Sequence, residues 1–200
     1  MYLNTLSKTA ENILAFLLNN LDKDYSIREI AKELGQDYKI VFTTIKQIAS
    51  DGIITMKRVS NINRCQALVT KENAALLAYI SQRKAQKTLP KKISQALKEA
   101  VQGITNPFYT LLIFGSHAKG SARPSSDIDI LAIVQEKGQE QEIRSAIKRS
   151  ATLNNLQINP VILTIEEFQA GRKEPSVSKE AYEKHLIIHG GESFYLLIAA

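Results

Sequence analysis

The stretch "FGSHAKGSARPSSDIDI", residues 114–130, decides how this chain reads. It holds two glycines, four serines and two aspartates spaced one residue apart. The run leading into it, "FYTLLIF" at 108–114, is aromatic and branched, and predicts a buried strand that ends on Gly115-Ser116. "HAKGSARPSS" then reads as a short helix or loop. "DIDILAIV", 127–134, predicts a second strand, with Asp127, Asp129 and Leu131 alternating against Ile128, Ile130 and Ala132. Side chains alternate across a sheet, so Asp127 and Asp129 share one face.

Two ionised carboxylates that close repel unless a cation sits between them. Magnesium fits: it prefers oxygen ligands, keeps some of its waters and shares itself with substrate phosphates. A Gly-Ser turn at the end of the neighbouring strand offers free backbone N–H groups and a hydroxyl to a phosphate tail. Glycine lets the backbone approach closely. The stretch therefore reads as a metal-plus-triphosphate site. Rival motifs fail on their residues. In a P-loop lysine stands after the second glycine, where this chain has Ser121. A nucleophile elbow separates its glycine and serine, and here Gly115 and Ser116 are adjacent.

Gly115-Ser116, ten residues, then Asp127-x-Asp129 resembles the signature of the DNA polymerase β-like nucleotidyltransferase superfamily. The surrounding residues are similar to its minimal prokaryotic branch at Ala118, Gly120, Ala122 and Ser126, over about residues 108–165. The resemblance implies that Gly115 and Ser116 hold the triphosphate of an NTP, ATP in the first instance. It implies that Asp127 and Asp129 hold two Mg²⁺ ions, and that a nucleoside monophosphate is transferred with release of pyrophosphate. The family supplies a third carboxylate from a later strand. The strand expected here, "QINPVILTI" at 157–165, offers Asn159, a neutral metal ligand that cannot act as a base. Pro160 marks that strand as an edge. Glu166 and Glu167 lie beyond it, in "TIEEF", which reads as a capped helix start.

The first half has a different pattern. Apolar residues recur at Ala10, Ile13, Leu14, Leu17 and Leu21 with helical spacing. "YSIREIAKELG" carries a capping box, Ser26 with Glu29, and a glycine stop at Gly35. "QDYKIVFTTIKQIASDG" follows with Asp37 as N-cap and a Val41, Ile45, Ile48 stripe. The pair reads as a helix-turn-helix. Its second helix turns outward Tyr38, Lys39, Thr43, Thr44, Lys46 and Gln47, types suited to phosphates and base edges. "IITMKRV" and "CQALVT" predict a hairpin around "SNINR", with Lys57, Arg58 and Arg64 near its tip. Over about residues 7–72 this resembles the winged helix-turn-helix domains of bacterial and archaeal transcription regulators. That implies a DNA partner, and a homodimer where two half-sites are read. Charge agrees: residues 1–103 hold 16 Lys+Arg against 9 Asp+Glu, whereas residues 104–200 hold 10 against 11.

Two further helices, split at Pro90, are expected over 71–103; the basic cluster Arg83, Lys84, Lys87, Lys91 and Lys92 reads as a solvated face. In the tail, a helix is expected from Ser178 to about His189, then a double-glycine stop and a buried "SFYLLIA". His185 and His189 stand at i, i+4 without an evident third ligand and read as ordinary histidines. The single cysteine, Cys65, excludes an intrachain disulfide and reads as a small buried hydrophobe. No apolar run reaches the 20 or so residues that cross a membrane, and no signal-peptide layout is present, so a cytoplasmic location is expected.

The expected fold class is α+β: a winged helix-turn-helix at 1–72, a helical linker at 73–104, and a nucleotidyltransferase fold with a small mixed sheet flanked by helices at 105–200. The expected activity is NMP transfer from NTP-Mg to an unknown acceptor. Two alternatives stand beside it. One is a non-catalytic, nucleotide-responsive transcription regulator. The other is an antitoxin-like nucleotidyltransferase paired with a small helical toxin, as the resemblance implies.

Overall fold

The computed structural model describes residues 6–199, so residues 1–5 and 200 of the expected domains lie outside the described residues. The chain opens with α1 (Lys8–Leu18), capped by the Ser7 side chain, and a two-residue strand β1 (Tyr25–Ser26). Ser26 ends that strand and caps α2 (Ile27–Leu34) through the expected reciprocal box with Glu29. Asp37 accepts from the N–H groups of Lys39 and Ile40 to start α3 (Tyr38–Ser50). The hairpin β2 (Ile54–Val59) and β3 (Ile62–Ala67) follows, and β1 adds to it in the order β1-β3-β2. The apolar stripes of the three helices meet over this sheet, with Leu14, Ile30, Val41 and Ile45 fully buried. Each such side chain contributes roughly 1.5–3 kcal/mol.

The second half is built on a four-stranded sheet of order β6-β5-β4-β7. Its strands are β4 (Tyr109–Ile113), β5 (Ile128–Val134), β6 (Ile158–Thr164) and β7 (Leu186–His189). The β5–β6 pair is parallel and the others antiparallel, so the sheet is mixed, as expected. The helix α7 (Glu140–Leu153) makes the crossover between the parallel strands. Pro160 does sit on an edge strand.

The sheet is covered on both faces. Leu111, Ile113, Ile130 and Ala132 pack with Ile93, Leu97 and Ile147, which belong to α5 (Lys91–Gln102) and α7. Leu112, Leu131 and Ile133 face the other way, onto Phe168 of α8 (Ile165–Gly171), Ala181 of α9 (Val177–Glu183) and Phe194 of α10 (Gly191–Ile198). That second core is continuous with the core of the N-terminal helices. The bridge is α4 (Ala74–Thr88), whose Leu77, Ala78 and Ile80 are buried. The linker helices are thus fixed parts of the packing.

Two expectations change in the structure. The helix predicted to run to His189 ends at Glu183. Lys184 is extended, and Leu186–His189 form β7 along β4. The Leu-Ile-Ile run is branched, and β4 needs a partner on that side; sheet pairing outweighs the continuation of a short helix. The "SFYLLIA" segment is buried as expected; as far as Ile198 it is helical, in α10, and packs on the sheet and α4. Neither Lys57 nor Arg64 is at the hairpin tip. The turn is at Ser60-Asn61, and Arg64 lies within β3 opposite Lys57, bonded to Asp24 at 2.7 Å and Glu29 at 3.3 Å.

The lone cysteine and the two tail histidines are structural. Cys65 is buried, and burial pushes its thiol up to about 11. His185 is buried with Nδ1 2.9 Å from the Ala181 carbonyl, while His189 stacks on Tyr109 at 4.5 Å. No helix among the described residues is long and apolar enough to cross a membrane.

Candidate nucleotide site

The site is assembled by the end of β4 and the start of β5. All five residues of β4 are buried, which pins its exit. The pairing extends one step further, because the Phe114 N–H donates to the Asp129 carbonyl at 3.0 Å. Gly115 then turns the chain at φ +66° into α6 (Gly115–Lys119), and Gly120 at φ +72° closes that helix. A side chain on Gly115 would collide with Asp129 Oδ2. So the Asp129 carboxylate lies directly against the glycine of the turn, and the glycine is needed both for its dihedral and for its missing Cβ. The first N–H groups of α6 have no intrahelical partner, as in any helix.

Asp127 precedes β5 and is exposed, whereas Asp129 is half-buried within it. A tight link in the loop before them fixes their approach: the Arg123 N–H donates to Ser126 Oγ and the Ser126 N–H to the Arg123 carbonyl, both at 2.9 Å. On β6, Asn159 stands in register with Asp129. Its Nδ2 donates to Asp127 Oδ2 at 3.3 Å. The structure therefore brings Gly115, Asp127, Asp129 and Asn159 together. Ser116 is the second residue of α6, half-buried, with its carbonyl accepting from the Ser121 N–H at 3.0 Å. Glu166 and Glu167 do not complete the site. Glu167 caps α8 through Thr164 and binds Lys137 at 2.9 Å.

Among the described residues no group of three His, Cys, Asp or Glu side chains is placed to hold a metal. The donor set at this site is two carboxylates and one amide, all able to offer hard oxygen. That chemistry fits Mg²⁺, which completes its shell with water and phosphate oxygen. Beside Asp127 and Asn159, a cavity of about 570 Å³ opens between α7 and the starts of β5 and β6. Arg144 and Lys148 of α7 line it. Sequence reasoning missed both. The only signal was their i, i+4 spacing on a polar helix face, which does not say what that face looks onto.

The residues singled out for nucleic acid lie on the N-terminal elements. Lys39, Thr43, Lys46 and Gln47 are exposed on α3, and Lys57 and Arg58 on β2. The Thr43 and Thr44 hydroxyls donate to the Lys39 and Ile40 carbonyls at 2.9 and 2.8 Å. The Lys46 ammonium sits 4.7 Å above the Phe42 ring, and Gln47 donates to Asp51. Arg64 is committed to Asp24 and Glu29 and offers little to a ligand. The linker cluster is less solvated than its composition indicates. Lys84 donates to the Ala15 carbonyl at 3.0 Å, and burial, with Lys184 nearby, pulls it down to about 8. Arg83 pairs with Glu11 at 2.7 Å.

Residues 90–188 match the model of the nucleotidyltransferase domain family. The match runs from the start of α5 to within β7 and includes Gly115, Ser116, Asp127, Asp129 and Asn159. Among solved structures, the chain is similar to a protein from Sulfolobus solfataricus that is described provisionally as a nucleotidyltransferase. The identity is 20%, the match covers 55% of this chain and 84% of that one, and the TM-score is 0.32. No curated protein matches the chain.

Proposed function

We propose that this chain transfers a nucleoside monophosphate from an NTP, ATP in the first instance, to an acceptor, and that its N-terminal module brings it to DNA. The observation that carries the first part is the Asp127–Asp129–Asn159 group set against Gly115, inside the span that matches the nucleotidyltransferase domain. Asp127 and Asp129 would hold Mg²⁺, with Asn159 as a neutral third oxygen. The ion supplies charge neutralisation on the transferring phosphate. The chain's own residues do the rest. The turn accepts the phosphate tail on the half-buried Ser116 and the first N–H groups of α6. The buried β4 and β5 hold the turn and the carboxylates in fixed register, so little reorganisation is needed on binding.

The test is incubation with NTP labelled at the α-phosphate plus Mg²⁺, with Asp127→Ala as control, alongside calorimetry of Mg-ATP binding. Label transfer and binding that both vanish in the variant support the reading. Wild-type chain that binds Mg-ATP no better than a chain lacking both aspartates ends it.

Asn159 favours a second reading, a nucleotide-responsive regulator without turnover. An amide cannot remove the acceptor proton, and a positioned base contributes about 10² to 10⁴ in rate. Mg-ATP that alters DNA affinity without being consumed would select this reading. The DNA part rests on three helices and a hairpin in winged-helix order, with exposed Lys39, Lys46, Lys57 and Arg58 on the second helix of the pair and on the hairpin. Phosphate neutralisation by those cations makes affinity fall steeply with salt.

A further inference from the structure

A second cavity opens where the N-terminal helices meet α4, and it shares no lining residue with the one beside Asp127. Its volume is about 280 Å³, which suits a molecule smaller than a typical drug. Ala15 and Phe16 of α1, Leu34 of α2 and Ile80 of α4 make its apolar wall. Ala15, Phe16 and Leu34 keep part of their surface exposed, so the chain's own packing does not close this wall.

The rim is charged, and its charge does not balance. Glu11 is the one acid among the lining residues, and it is already shared. Arg83 lies 2.7 Å from one of its oxygens and Lys87 3.8 Å from the other. Lys84, the third lining cation, enters no ion pair among the described residues. It donates to the Ala15 carbonyl at 3.0 Å, one neutral partner for a group with three donors. Lys84 is half-buried, and a charge removed from water is costly until it is paired. Its ammonium is pulled down to about 8 by burial, as a missing anion would leave it. The other titratable groups that act on it, Lys184 and His185 at the entry to β7, bring no negative charge.

We propose that the cleft between α1, α2 and α4 binds a small organic carboxylate with a compact apolar body. The carboxylate pairs with Lys84, with Arg83 beside it, and the body lies against Phe16 and Leu34. Neither the transferase reading nor the DNA reading is needed for this. An inorganic anion would meet the charge and leave the apolar wall wet. A nucleic-acid phosphate is tied to a chain too large for a cavity of about 280 Å³. The cleft also lies across the joint between the two halves. Ala15 is one helical turn from Asn19, whose amide donates to the Ala118 carbonyl of α6. A bound molecule touches α1, α2 and α4 at once and braces that joint.

The experiment uses the whole chain and three probes: benzoate, benzyl alcohol and inorganic phosphate. Each is titrated separately while the backbone amide shifts of Ala15, Phe16, Leu34 and Lys84 are followed. The expected result is a saturable response to benzoate, with an affinity at least about tenfold above that for either other probe, as a charge-assisted contact on an apolar wall gives. Lys84→Met keeps the side-chain stem and should lower benzoate affinity about tenfold, to the level of benzyl alcohol. Ala15→Leu keeps the lysine, fills the cavity and should weaken benzoate by about as much. Thermal melts confirm that both variants fold. At about pH 8.5 the wild-type chain should take up protons on binding benzoate, because pairing favours the charged lysine, and Lys84→Met should take up none. Phosphate or benzyl alcohol binding as well as benzoate, no saturable response at these amides, no proton uptake, or benzoate affinity unchanged in Lys84→Met overturns the proposal.

Discussion

Asn159→Asp is the substitution that most directly interrogates the site. The Asn159 amide donates to Asp127 Oδ2 at 3.3 Å, and Asn159 is in register with Asp129. Replacing it with a carboxylate removes a donor and sets a third negative charge among two others. Coulomb repulsion between unit charges at this separation is about 1 kcal/mol in bulk water and about 5 kcal/mol at the effective dielectric of a protein surface. Asp127 is exposed, so the lower end applies. Without divalent ion, the variant should therefore be less stable by about 1–2 kcal/mol, a fall in Tm of roughly 2–8 °C at this chain length. Millimolar Mg²⁺ should restore it, because the ion binds only the folded arrangement. The same substitution adds a base next to the attacking hydroxyl, so transfer from labelled NTP should rise, by up to about 10². The assay is a thermal scan with and without Mg²⁺, together with single-turnover transfer. If Tm is insensitive to Mg²⁺ and transfer does not rise, the three side chains do not share an ion and the reasoning fails.

Three other outcomes follow from the geometry. Gly115→Ala forces a side chain into left-handed backbone and into Asp129 Oδ2, so Mg-ATP affinity should fall by at least about tenfold and stability by roughly 1–3 kcal/mol, read by calorimetry and denaturant melts. Lys39→Ala and Lys46→Ala should each reduce the salt slope of DNA binding by about 1, whereas Arg64→Ala, which breaks the Asp24 and Glu29 pairs, should lower Tm and leave that slope alone. Lys84 is pulled from 10.5 down to about 8 chiefly by burial. The unfolded chain then binds more protons between those values. The burial penalty is fully present below about pH 8, and stability should rise with pH from there to about 10.5. Lys84→Met should flatten that rise in denaturant melts and stabilise the chain at pH 7.

Much of the site was legible because its parts are local. A strand, a glycine turn and alternating aspartates within 17 residues fix their own relative placement through backbone periodicity. Asn159 was legible only through the resemblance, which calls for a third ligand from a later strand; the parallel pairing of β6 with β5 then sets its register. What escaped depends on partners distant in sequence. β1 is two residues long, too short to show a period, and exists only because Cys65 and Arg64 of β3 pair with it. β7 looked helical by its neighbours and is a strand because β4 offers an edge. The cavity and its cations require knowing where α7 lies across the sheet. Arg64 reads as a ligand-facing cation until its distant partners Asp24 and Glu29 are placed beside it.

The helices between the two modules carry the same lesson further. By composition, 73–104 is a basic linker, and a linker lets modules move independently. By packing it is the opposite. One face of α4 closes the core over α1, and its neighbouring face closes the core over α10, while α5 covers the far face of the sheet. Ser81 of α4 and Tyr195 of α10 share a buried hydrogen bond of 2.5 Å. At the far end of α1, Asn19 donates to the Ala118 carbonyl in α6, the helix that starts at Gly115. The first helix of the N-terminal module is therefore joined to the second half in two ways, through the core it shares with α4 and, at its C-terminal end, through a direct hydrogen bond to α6. Any rearrangement of α6 on accepting phosphate must either break the Asn19 contact or carry α1 with it. The fused arrangement makes the candidate site at Gly115 and the helix α3 parts of one continuous packing, not two modules on a tether.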